Sequence, residues 1–580
     1  MNEAAFLNVE VSLLGRRWIG PSDGEHRAAE ALAQQSHLPM ALCMILAKRG
    51  VQFDGIEKFL TPSLRDLLPD PHSLRDMHKA AERFIEALQK QQKIAIFADY
   101  DVDGGASAAL LLTWLRDMGH QATLYIPDRI DEGYGPNVAA MRALAAEHDL
   151  IICVDCGTLS HEPIEATKAA DVVVLDHHLG GETLPEALAI VNPNRQDEDG
   201  ALSHLCAAGV VFLMLVESNR QLRTLGQTGP DLMGLLDLVA LATVADVSPL
   251  IGVNRAFVRQ GLKVMARRER LGLRVLADGA GLDTAPSAYS LGFVLGPRIN
   301  SGGRIGQADL GARLLATTDP HEAQALAQRL EILNAERREV EAAVRVQALA
   351  QAETRGFDGP LVWAAADGWH PGVVGIVAAR LKETTNRPAV VIGFDGDAGK
   401  GSGRSIAGVD LGVAVQRLAS EGLLLKGGGH KMAAGLSLSR DQLEGAMARL
   451  SELLAHQGVG TGGPQDLRID SLLMTPAVNA ALIEKIESAG PFGASAAAPR
   501  FAFAAQAVSG RRIGGNHLRL RFSDGLGPKL DAIAFGAMEG PLALLENAGA
   551  TRFNLAGRLE LNSFGGRTKV QLRLEDAARA

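Results

Sequence analysis

The chain has 580 residues, of which 47% are hydrophobic and 22% charged, so it is predicted to be an ordinary globular protein with several domains. It contains no apolar run near the roughly 20 residues of a membrane span and no signal-peptide pattern, which predicts a cytoplasmic protein without a membrane partner. The net charge of −9 argues against a polyanionic partner for the chain as a whole. However, residues 500–580 hold 12 Lys+Arg and 7 Asp+Glu, a net charge of +5, which predicts local contact with nucleic acid.

The first 318 residues are predicted to form a helical segment followed by a parallel α/β domain. Residues 1–81 are mostly helix-forming and make up an N-terminal lead-in. Over residues 82–318, short apolar runs alternate with helix-forming segments. The runs predicted to be strands are 93–97, 122–126, 150–154 and 171–175. Strands separated by helices of this length form β–α–β units, so their sheet is predicted to be parallel.

Three further regions are predicted beyond residue 318. Residues 319–355 have no glycine or proline after Pro320 and are rich in Ala, Glu, Arg and Leu, which predicts one long connecting helix. Residues 356–457 are predicted to form a smaller α/β domain, and a glycine-rich linker follows at 458–464. Residues 465–580 contain five short alternating runs separated by turn residues, a pattern typical of an OB-like β-barrel.

Acidic and imidazole side chains follow three of the predicted strands. They are Asp99, Asp101 and Asp103 after the first strand, Asp155 after the third, and Asp176, His177 and His178 after the fourth. The carboxyl ends of parallel strands lie at one edge of the sheet, where ligands bind. These side chains are therefore predicted to form one site. On an extended backbone His177 and His178 would point in opposite directions, one toward metal and the other toward substrate.

Carboxylates that share one site indicate bound cations, because like charges raise each other's pKa. Several carboxylates with one imidazole suit Mn²⁺ or Mg²⁺ better than zinc. A pair of such ions can activate water and stabilise an in-line phosphoryl displacement, which predicts hydrolysis of a phosphate ester or anhydride. The alternative readings are an acidic surface loop and isolated histidines. A zinc or redox role for Cys153 and Cys156 is disfavoured because the chain has no second cysteine pair.

The order of these motifs resembles that of the DHH phosphoesterase superfamily. Its four motifs look like D-Y-D-V-D-G at 99–104, V-D-C-G at 154–157, D-H-H at 176–178 and T-V-A-D ending at Asp246. Segments similar to the associated DHHA1 domain are 368–376, 401–405 and 427–435. The spans 125–135 and 296–304 and the β-rich C-terminal region narrow the resemblance to bacterial single-strand-specific 5′ exonucleases. It covers roughly residues 93–576.

The resemblance implies roles for the matched residues. The ligands of two divalent ions, Mn²⁺ or Mg²⁺, would be Asp101, Asp103, Asp155, His177 and Asp246. The catalytic residues would be Asp155 and His178, and His178 would contact the scissile phosphate or assist proton transfer. Asp99 would lie behind the ligands. The 5′-phosphate and the DNA would be bound by Arg129, Tyr134, Arg304, Ser402, Arg404 and His430. Arginine binds phosphate oxygens in pairs, and Tyr134 could stack on a base.

The implied function is metal-dependent 5′→3′ degradation of single-stranded DNA to nucleotides, in DNA repair and recombination. The implied partners of this monomeric enzyme are single-stranded DNA, a single-strand-binding protein and a helicase. Two alternatives stay open: a phosphodiesterase for short oligonucleotides or cyclic dinucleotides, and an inactive DNA- or protein-binding scaffold. Phe97 stands where small pyrophosphatases of the superfamily have a histidine, which favours the nuclease branch. Residues 494–499 depart from the turn that is usual in the family.

Overall fold

The computed structural model of the chain describes residues 4–129, 132–459, 465–525, 527–564 and 567–580. Two compact units are present. Unit 1 comprises Met1–Leu68, Leu250–Ala256 and Gly463–Ala580, and unit 2 comprises Pro69–Pro249 and Phe257–Gly462. Most of the predicted linker, residues 460–464, and two residues of the matched span 125–135, Ile130 and Asp131, lie outside the described residues. No helix among the described residues has the length and apolar character needed to cross a membrane.

The helices and strands of the described residues are numbered in chain order. The strands β1–β18 are Arg16–Ile19, Ile94–Ala98, Ala122–Tyr125, Leu150–Val154, Asp171–Leu175, Ala189–Val191, Val362–Asp367, Ala389–Asp395, Ala398–Arg404, Lys426–His430, Ala433–Ser439, Gln465–Arg468, Ser471–Leu472, Phe501–Ile513, His517–Ser523, Leu530–Ala534, Arg552–Phe564 and Arg567–Arg579. The helices α1–α19 are Asp23–Ser36, Met40–Lys48, Ile56–Leu60, Leu64–Leu67, Met77–Gln89, Val102–Asp117, Val138–Glu147, His161–Glu165, Ala207–Thr224, Leu236–Ala245, Gly252–Ala266, Leu271–Gly279, Gly296–Ile305, Leu310–Ala316, Pro320–Arg355, Pro371–Thr385, Leu411–Ser420, Leu443–His456 and Ala480–Glu487.

The first sheet of unit 2 is parallel throughout, in the order β3-β2-β4-β5-β6. Every residue of β2 and β4 is buried, which explains their continuous apolar sequences. The parallel α/β fold predicted from the sequence is therefore confirmed. Strand β6 was not predicted, because three residues are too few to show a periodic pattern.

The second sheet of unit 2 follows the long helix α15, whose bounds match the predicted helical segment. Its order is β10-β11-β9-β8-β7, with β7 parallel to β8 and the other pairs antiparallel. Strands β9 and β10 are rich in glycine, with the sequences A-G-K-G-S-G-R and K-G-G-G-H. This smaller sheet places a surface with few side chains beside helix α16, which contacts β9.

Unit 1 contains the predicted barrel. Its strands run β14-β15-β16-β18-β17, and pairing of β14 with β17 closes the sheet. The N-terminal helices share its core: Leu42, Ile45 and Leu46 belong to the same buried cluster as Phe501 and Phe522. Residues 1–81 are predicted to be a helical lead-in, and in the structure the residues up to Leu68 form one unit with the barrel. The apolar face of α2 is covered by packing in this common core.

The unusual residues 494–499 form a tight turn in unit 1. The N–H of Gly493 donates to the carbonyl of Ala496 (3.0 Å), and the N–H of Ala496 donates back to Gly493 (3.1 Å). The N–H of Leu250 donates to the carbonyl of Ala494 (2.9 Å). The alanine-rich sequence thus has its own hydrogen-bonded path toward β14.

Candidate active site

Three aspartates lie side by side at the carboxyl edge of the parallel sheet. The register pairs the last residues of β2, β4 and β5. The next residues are Asp99, Asp155 and Asp176, and the N–H of each donates to the neighbouring strand over 3.0–3.3 Å. All three are at most 3% exposed. The sheet register therefore brings together the acidic positions that the sequence places after separate strands.

Asp101 and Asp103 are fixed by main-chain N–H groups at two helix starts. Asp101 is the N-cap of α6, and its Oδ1 accepts from the N–H groups of Asp103 (2.8 Å) and Gly104 (3.2 Å). The carboxylate of Asp103 accepts from Ala207 (2.7 Å) and Ala208 (2.8 Å), the first residues of α9. The positive ends of two helices thus hold these carboxylates in place.

His177 lies among three carboxylates. Its Nε2 is 3.3 Å from Asp155 Oδ1 and 3.7 Å from Asp103 Oδ2. Its Nδ1 is 3.9 Å from Oδ2 of Asp246, which follows helix α10. The structure therefore brings the predicted ligands from four separate chain segments to one place.

His178 is held by Asp176 and Tyr134. Its Nδ1 lies 2.8 Å from Asp176 Oδ1, and its Nε2 lies 3.1 Å from the hydroxyl of Tyr134. The prediction that His177 and His178 point in opposite directions is wrong, because their ring centroids are only 4.7 Å apart. Asp176 Oδ1 accepts from both histidine N–H groups (2.8 and 3.2 Å), which bends the chain away from the extended conformation.

We call Asp99, Asp101, Asp103, Asp155 and Asp246 the carboxylate cluster. Burial first, and then the neighbouring carboxylates, raise the pKa of Asp99 and of Asp155, and the same causes raise the pKa of Asp246 to about 7. Oδ1 atoms of Asp99 and Asp155 are buried and accept no hydrogen bond from the described residues. Asp155 also has a φ of +60°, a strained conformation of the kind found at functional sites.

This donor set fits divalent cations. Ligand atoms of three residue groups lie within 4.8 Å of one another: Asp99, Asp101 and Asp155; Asp103, His177 and Asp246; and Asp155, His177 and His178. Carboxylate oxygens with one or two imidazoles are ligands of Mn²⁺ and Mg²⁺. A cation would satisfy the buried Asp155 Oδ1 and relieve the repulsion that raises the pKa of the cluster.

Arg129, Arg304 and Arg404 form a second group of charges, which we call the guanidinium cluster. Burial, then the charges of Arg129 and Arg337, lower the pKa of Arg304 to about 10. Burial and Arg129 also lower the pKa of Arg404. Arg304 donates to the carbonyl of Gly372 (3.3 Å) and Arg404 to that of Gly403 (2.8 Å), and neither pairs with a carboxylate of the described residues. Such partly buried cations are suited to bind an anion.

A glycine allows close approach beside Arg404. A Cβ atom at Gly375 would lie 3.1 Å from both Arg404 Nη2 and Ser402 Oγ. Ser402 and Arg404 are on β9, and Gly375 is on the facing helix α16. His430 ends β10, and burial together with the charges of Arg404 and His178 lowers its pKa. The predicted anion-binding positions of the second sheet therefore face one region of unit 2.

Tyr100 and Asn300 are site residues that the sequence analysis missed. The ring of Tyr100 lies 5.1 Å from the Arg129 guanidinium, between the two clusters. Asn300 Oδ1 accepts from the N–H of Val102, the first residue of α6. Tyr100 could have been predicted from the sequence, because it lies between the motif residues Asp99 and Asp101. Asn300 lies in a matched motif, but nothing in that motif indicated its partner.

The buried cysteines take no part in these clusters. Cys153 and Cys156 are free thiols, and burial raises the pKa of both. No group of metal-ligand type among the described residues includes a cysteine. The C-x-x-C spacing therefore reflects one cysteine in strand β4 and one just after it, both packed in the core.

Three family models match the chain in the order of its domains. The DHH family N-terminal domain matches residues 93–243, the DHHA1 domain residues 358–456, and the RecJ OB domain residues 469–576. Together with a row of aspartates beside paired histidines at a parallel-sheet edge, these matches define a DHH phosphoesterase.

Relatives with established names narrow the class. Single-stranded-DNA-specific exonuclease RecJ of Dickeya dadantii is 39% identical over 93% of this chain and 96% of its own length, and that of Escherichia coli is 35% identical over the same shares. The chain belongs to the RecJ family. Its fold is similar to the crystal structure of RecJ from Thermus thermophilus in complex with Mn²⁺, with a TM-score of 0.79, 29% identity, and coverage of 97% of this chain and 79% of that one. The narrower resemblance found in the sequence is thus confirmed.

Proposed function

We propose that this chain is a metal-dependent exonuclease that degrades single-stranded DNA from its 5′ end, in DNA repair and recombination. One observation carries the proposal: unit 2 holds a largely buried carboxylate cluster near a partly buried guanidinium cluster, and no salt bridge among the described residues joins the two. The first suits divalent cations and the second suits a phosphate. Family membership agrees, since the named relatives are single-stranded-DNA-specific exonucleases.

The proposed ligands of two Mn²⁺ or Mg²⁺ ions are Asp101, Asp103, Asp155, His177 and Asp246. Bound ions of this kind supply a nucleophile from water and neutralise charge on the phosphate. The chain's own contribution is to fix the ligands before the substrate arrives. The amides of α9 hold Asp103, the N-cap geometry holds Asp101, and the sheet register holds Asp155. Asp99 has a ligand atom within 4.8 Å of those of Asp101 and Asp155, and its proposed role is to support the ligands rather than to bind the ions.

His178 is the proposed proton-handling residue, with Asp155 as the other catalytic group. Burial opposes its protonated form, but the hydrogen bond and charge of Asp176 outweigh burial and raise the pKa of His178 to about 9. Asp176 is buried itself, yet bonds from His178 and Thr158 keep its pKa below the usual range. A protonated His178 can donate to a phosphate oxygen or protonate the leaving oxygen.

The guanidinium cluster is the proposed site for the terminal 5′-phosphate. Arg304, Arg404 and Ser402 would donate to its oxygens, and Arg129 and His430 would contact the adjoining backbone. Tyr134, which is 54% exposed, would stack on a base. A phosphate held here, next to the carboxylate cluster, would present the first phosphodiester for cleavage, which explains the proposed 5′ polarity.

The barrel of unit 1 is proposed to bind the strand without sequence preference. Its exposed arginines on β14 and β15 are Arg511, Arg512, Arg519 and Arg521. Aromatic residues such as Phe501, Phe503 and Phe522 are fully buried, so charge is expected to dominate. Affinity should fall steeply between low and moderate salt, because bound cations are released from DNA. Affinity independent of salt would contradict this role.

We further propose the domain bounds 82–318 for the catalytic domain, 319–355 for the connecting helix, 356–457 for the second α/β domain and 465–580 for the barrel domain. A cytoplasmic, monomeric enzyme that works with a single-strand-binding protein and a helicase fits the proposed role.

The test is a time course on a long single strand labelled at its 3′ or 5′ end, with Mn²⁺ or with chelator. A 5′ label should be released at once as mononucleotide, while 3′-labelled strands shorten progressively, and chelator should stop both. A dinucleotide offered in parallel should be a poor substrate. Shortening from the 3′ end would overturn the polarity, and preference for the dinucleotide would favour a short-substrate phosphodiesterase. Absence of cleavage with every metal would favour a scaffold.

A further inference from the structure

A second group of metal-ligand side chains lies in unit 2, outside both clusters of the active site. His72 comes from the 3-10 turn Pro71–Ser73, His78 from the start of α5 and Glu217 from α9. His72 Nε2 is 2.8 Å and His78 Nδ1 is 3.2 Å from the same oxygen, Glu217 Oε1. The two imidazole centroids are 5.2 Å apart. Two nitrogens and one oxygen thus converge from three elements.

Glu217 is unusual for a carboxylate on a helix, since its side chain is only 1% exposed. Its Oε1 faces the two histidines, whereas its Oε2 is buried and forms no hydrogen bond among the described residues. The nearest cation to Oε2 is Arg220, at 3.3 Å, which also bonds Asp70. A buried carboxylate costs free energy unless it is compensated by charge. Oε1 of Glu217 therefore faces the two imidazoles, and Oε2 faces the guanidinium of Arg220.

We propose that His72, His78 and Glu217 form a binding site for a transition-metal ion such as Zn²⁺. Their ligand atoms lie within 4.8 Å of one another, and two imidazoles with one carboxylate is a zinc ligand set. The imidazoles are 46% and 61% exposed beside a cavity of about 500 Å³, so water can complete a tetrahedral coordination. The ligand set is richer in nitrogen than the carboxylate cluster and so differs from it in metal preference.

Binding would require one local change. The amide Nε2 of Gln221 lies 3.2 Å from both His78 Nδ1 and Glu217 Oε1, where it competes with a metal for these atoms. Gln221 is partly exposed and can rotate its amide toward solvent. Arg220 faces the other oxygen and need not move. Without metal, the same residues form a hydrogen-bonded group, which is the competing explanation.

An ion at this site would tie three elements together. It would join the 3-10 turn and α5 to α9, the helix whose first N–H groups bind Asp103. Glu217 follows Ala208 by nine residues, about 14 Å along the helix. The metal would thus secure a helix that positions a residue of the carboxylate cluster, without itself contacting the substrate.

The test measures zinc bound per chain after dialysis, with the full-length protein. The variant is His72→Gln/His78→Gln, and the matched control is His161→Gln, an exposed histidine of the same unit. Wild type, the control and Asp155→Asn should each retain one zinc that the double variant loses. Equal zinc in wild type and the double variant would overturn the site.

A second measurement guards against misfolding of the double variant. In chelator this variant should still melt in one cooperative transition, with a midpoint somewhat below that of wild type, because the buried Glu217 loses two imidazole partners. In the Asp155→Asn background, added Zn²⁺ should raise the midpoint by a few degrees, since a ligand that binds the folded state stabilises it. Adding the two histidine substitutions to that background should remove the rise. An undiminished rise would show that the ion binds elsewhere and contradict the proposal.

Discussion

The carboxylate cluster and the guanidinium cluster lie in the same unit, each is at least partly buried, and each holds charges of one sign. They are built differently. The carboxylates are short side chains: main-chain N–H groups at helix starts hold those of Asp101 and Asp103, and the strand register positions Asp99 and Asp155. The arginines are long side chains. Arg304 and Arg404 donate to main-chain carbonyls, and Arg404 packs against the main chain at Gly375. The first arrangement suits ligands that demand fixed geometry, such as metal ions, and the second suits an anion that is bound by charge.

A buried ion pair elsewhere in unit 2 differs from both clusters, because its two charges are opposite and in direct contact. Arg270 Nε and Nη2 donate to the two oxygens of Asp237 over 2.7 and 2.9 Å, and both side chains are largely buried. Opposite charges there satisfy each other and leave nothing for a ligand. In the two clusters the opposite charges are kept apart, which costs stability and leaves each free to bind a partner.

The largest expected effect comes from removing one charge of the carboxylate cluster. Asp155→Asn should lower the cleavage rate by about 10²–10³-fold or more, because transition-state charge is no longer stabilised. The metal-free variant should melt at a higher temperature than wild type, since a repulsive buried charge is gone. Activity assays and thermal melts would check both, with the exposed Glu162→Gln as control. Unchanged cleavage would remove Asp155 from the proposed ligands.

Metal removal should abolish the proposed function of the carboxylate cluster, cleavage, and leave that of the guanidinium cluster, phosphate binding. A chelator should stop cleavage, and added Mn²⁺ should restore it. Binding of a 5′-phosphorylated single strand should change little in chelator, because the guanidinium cluster needs no metal. Activity and fluorescence-anisotropy titrations on the same sample would show this. Loss of binding together with cleavage would mean that the phosphate is held mainly through the metals.

Removing an arginine should have a smaller and more selective effect. Arg404→Ala should raise KM for a 5′-phosphorylated strand by about 10–100-fold, since a charged hydrogen bond is worth about 1.5–3 kcal/mol. A 5′-hydroxyl strand should be affected much less. The exposed Arg417→Ala on α17 is the matched control. Equal losses on both strands would argue that Arg404 does not contact the terminal phosphate.

The smallest expected effect is the pH dependence of stability without metal. The pKa of Asp246 is raised from 3.8 to about 7, and that of His178 from 6.5 to about 9. Raised values favour the protonated folded state, so this stability is present at low pH and is lost as pH rises through these values. The free energy of unfolding should fall between pH 5 and 8 by about 1–3 kcal/mol, because solvent screening of the half-exposed His178 reduces its share.

Denaturant titrations at several pH values would measure that change. Asp246→Asn should flatten the profile, and saturating Mn²⁺ should reduce the loss in wild type. A stability that rises across this range in metal-free protein would contradict the repulsion inferred for the cluster.

Much of unit 2 could be predicted because its strands are continuous apolar runs that end in aspartate. The glycine-rich strands β9 and β10 were predicted only as motif segments, because glycine leaves no alternating side-chain pattern. The predicted direction of the His178 side chain was wrong because the sequence does not show that Asp176 accepts the main-chain N–H groups of both following residues. The phosphate-binding role of Arg304 and Arg404 was predicted from the family resemblance and not from a local sequence pattern. Their lack of carboxylate partners among the described residues is a property of packing that no local pattern reveals.

The shared core of unit 1 joins the beginning and the end of the chain. Helix α2 buries Leu42, Ile45 and Leu46 against strands that are synthesised about 450 residues later. At ribosomal rates of about 5–20 residues per second, the roughly 450 residues between α2 and the first barrel strand take on the order of 20–90 s to appear. Throughout that interval the earliest helices lack their partner surface. The nascent chain therefore carries an apolar helix without its packing partner until the barrel strands emerge. A product truncated before the barrel would leave the apolar face of α2 uncovered.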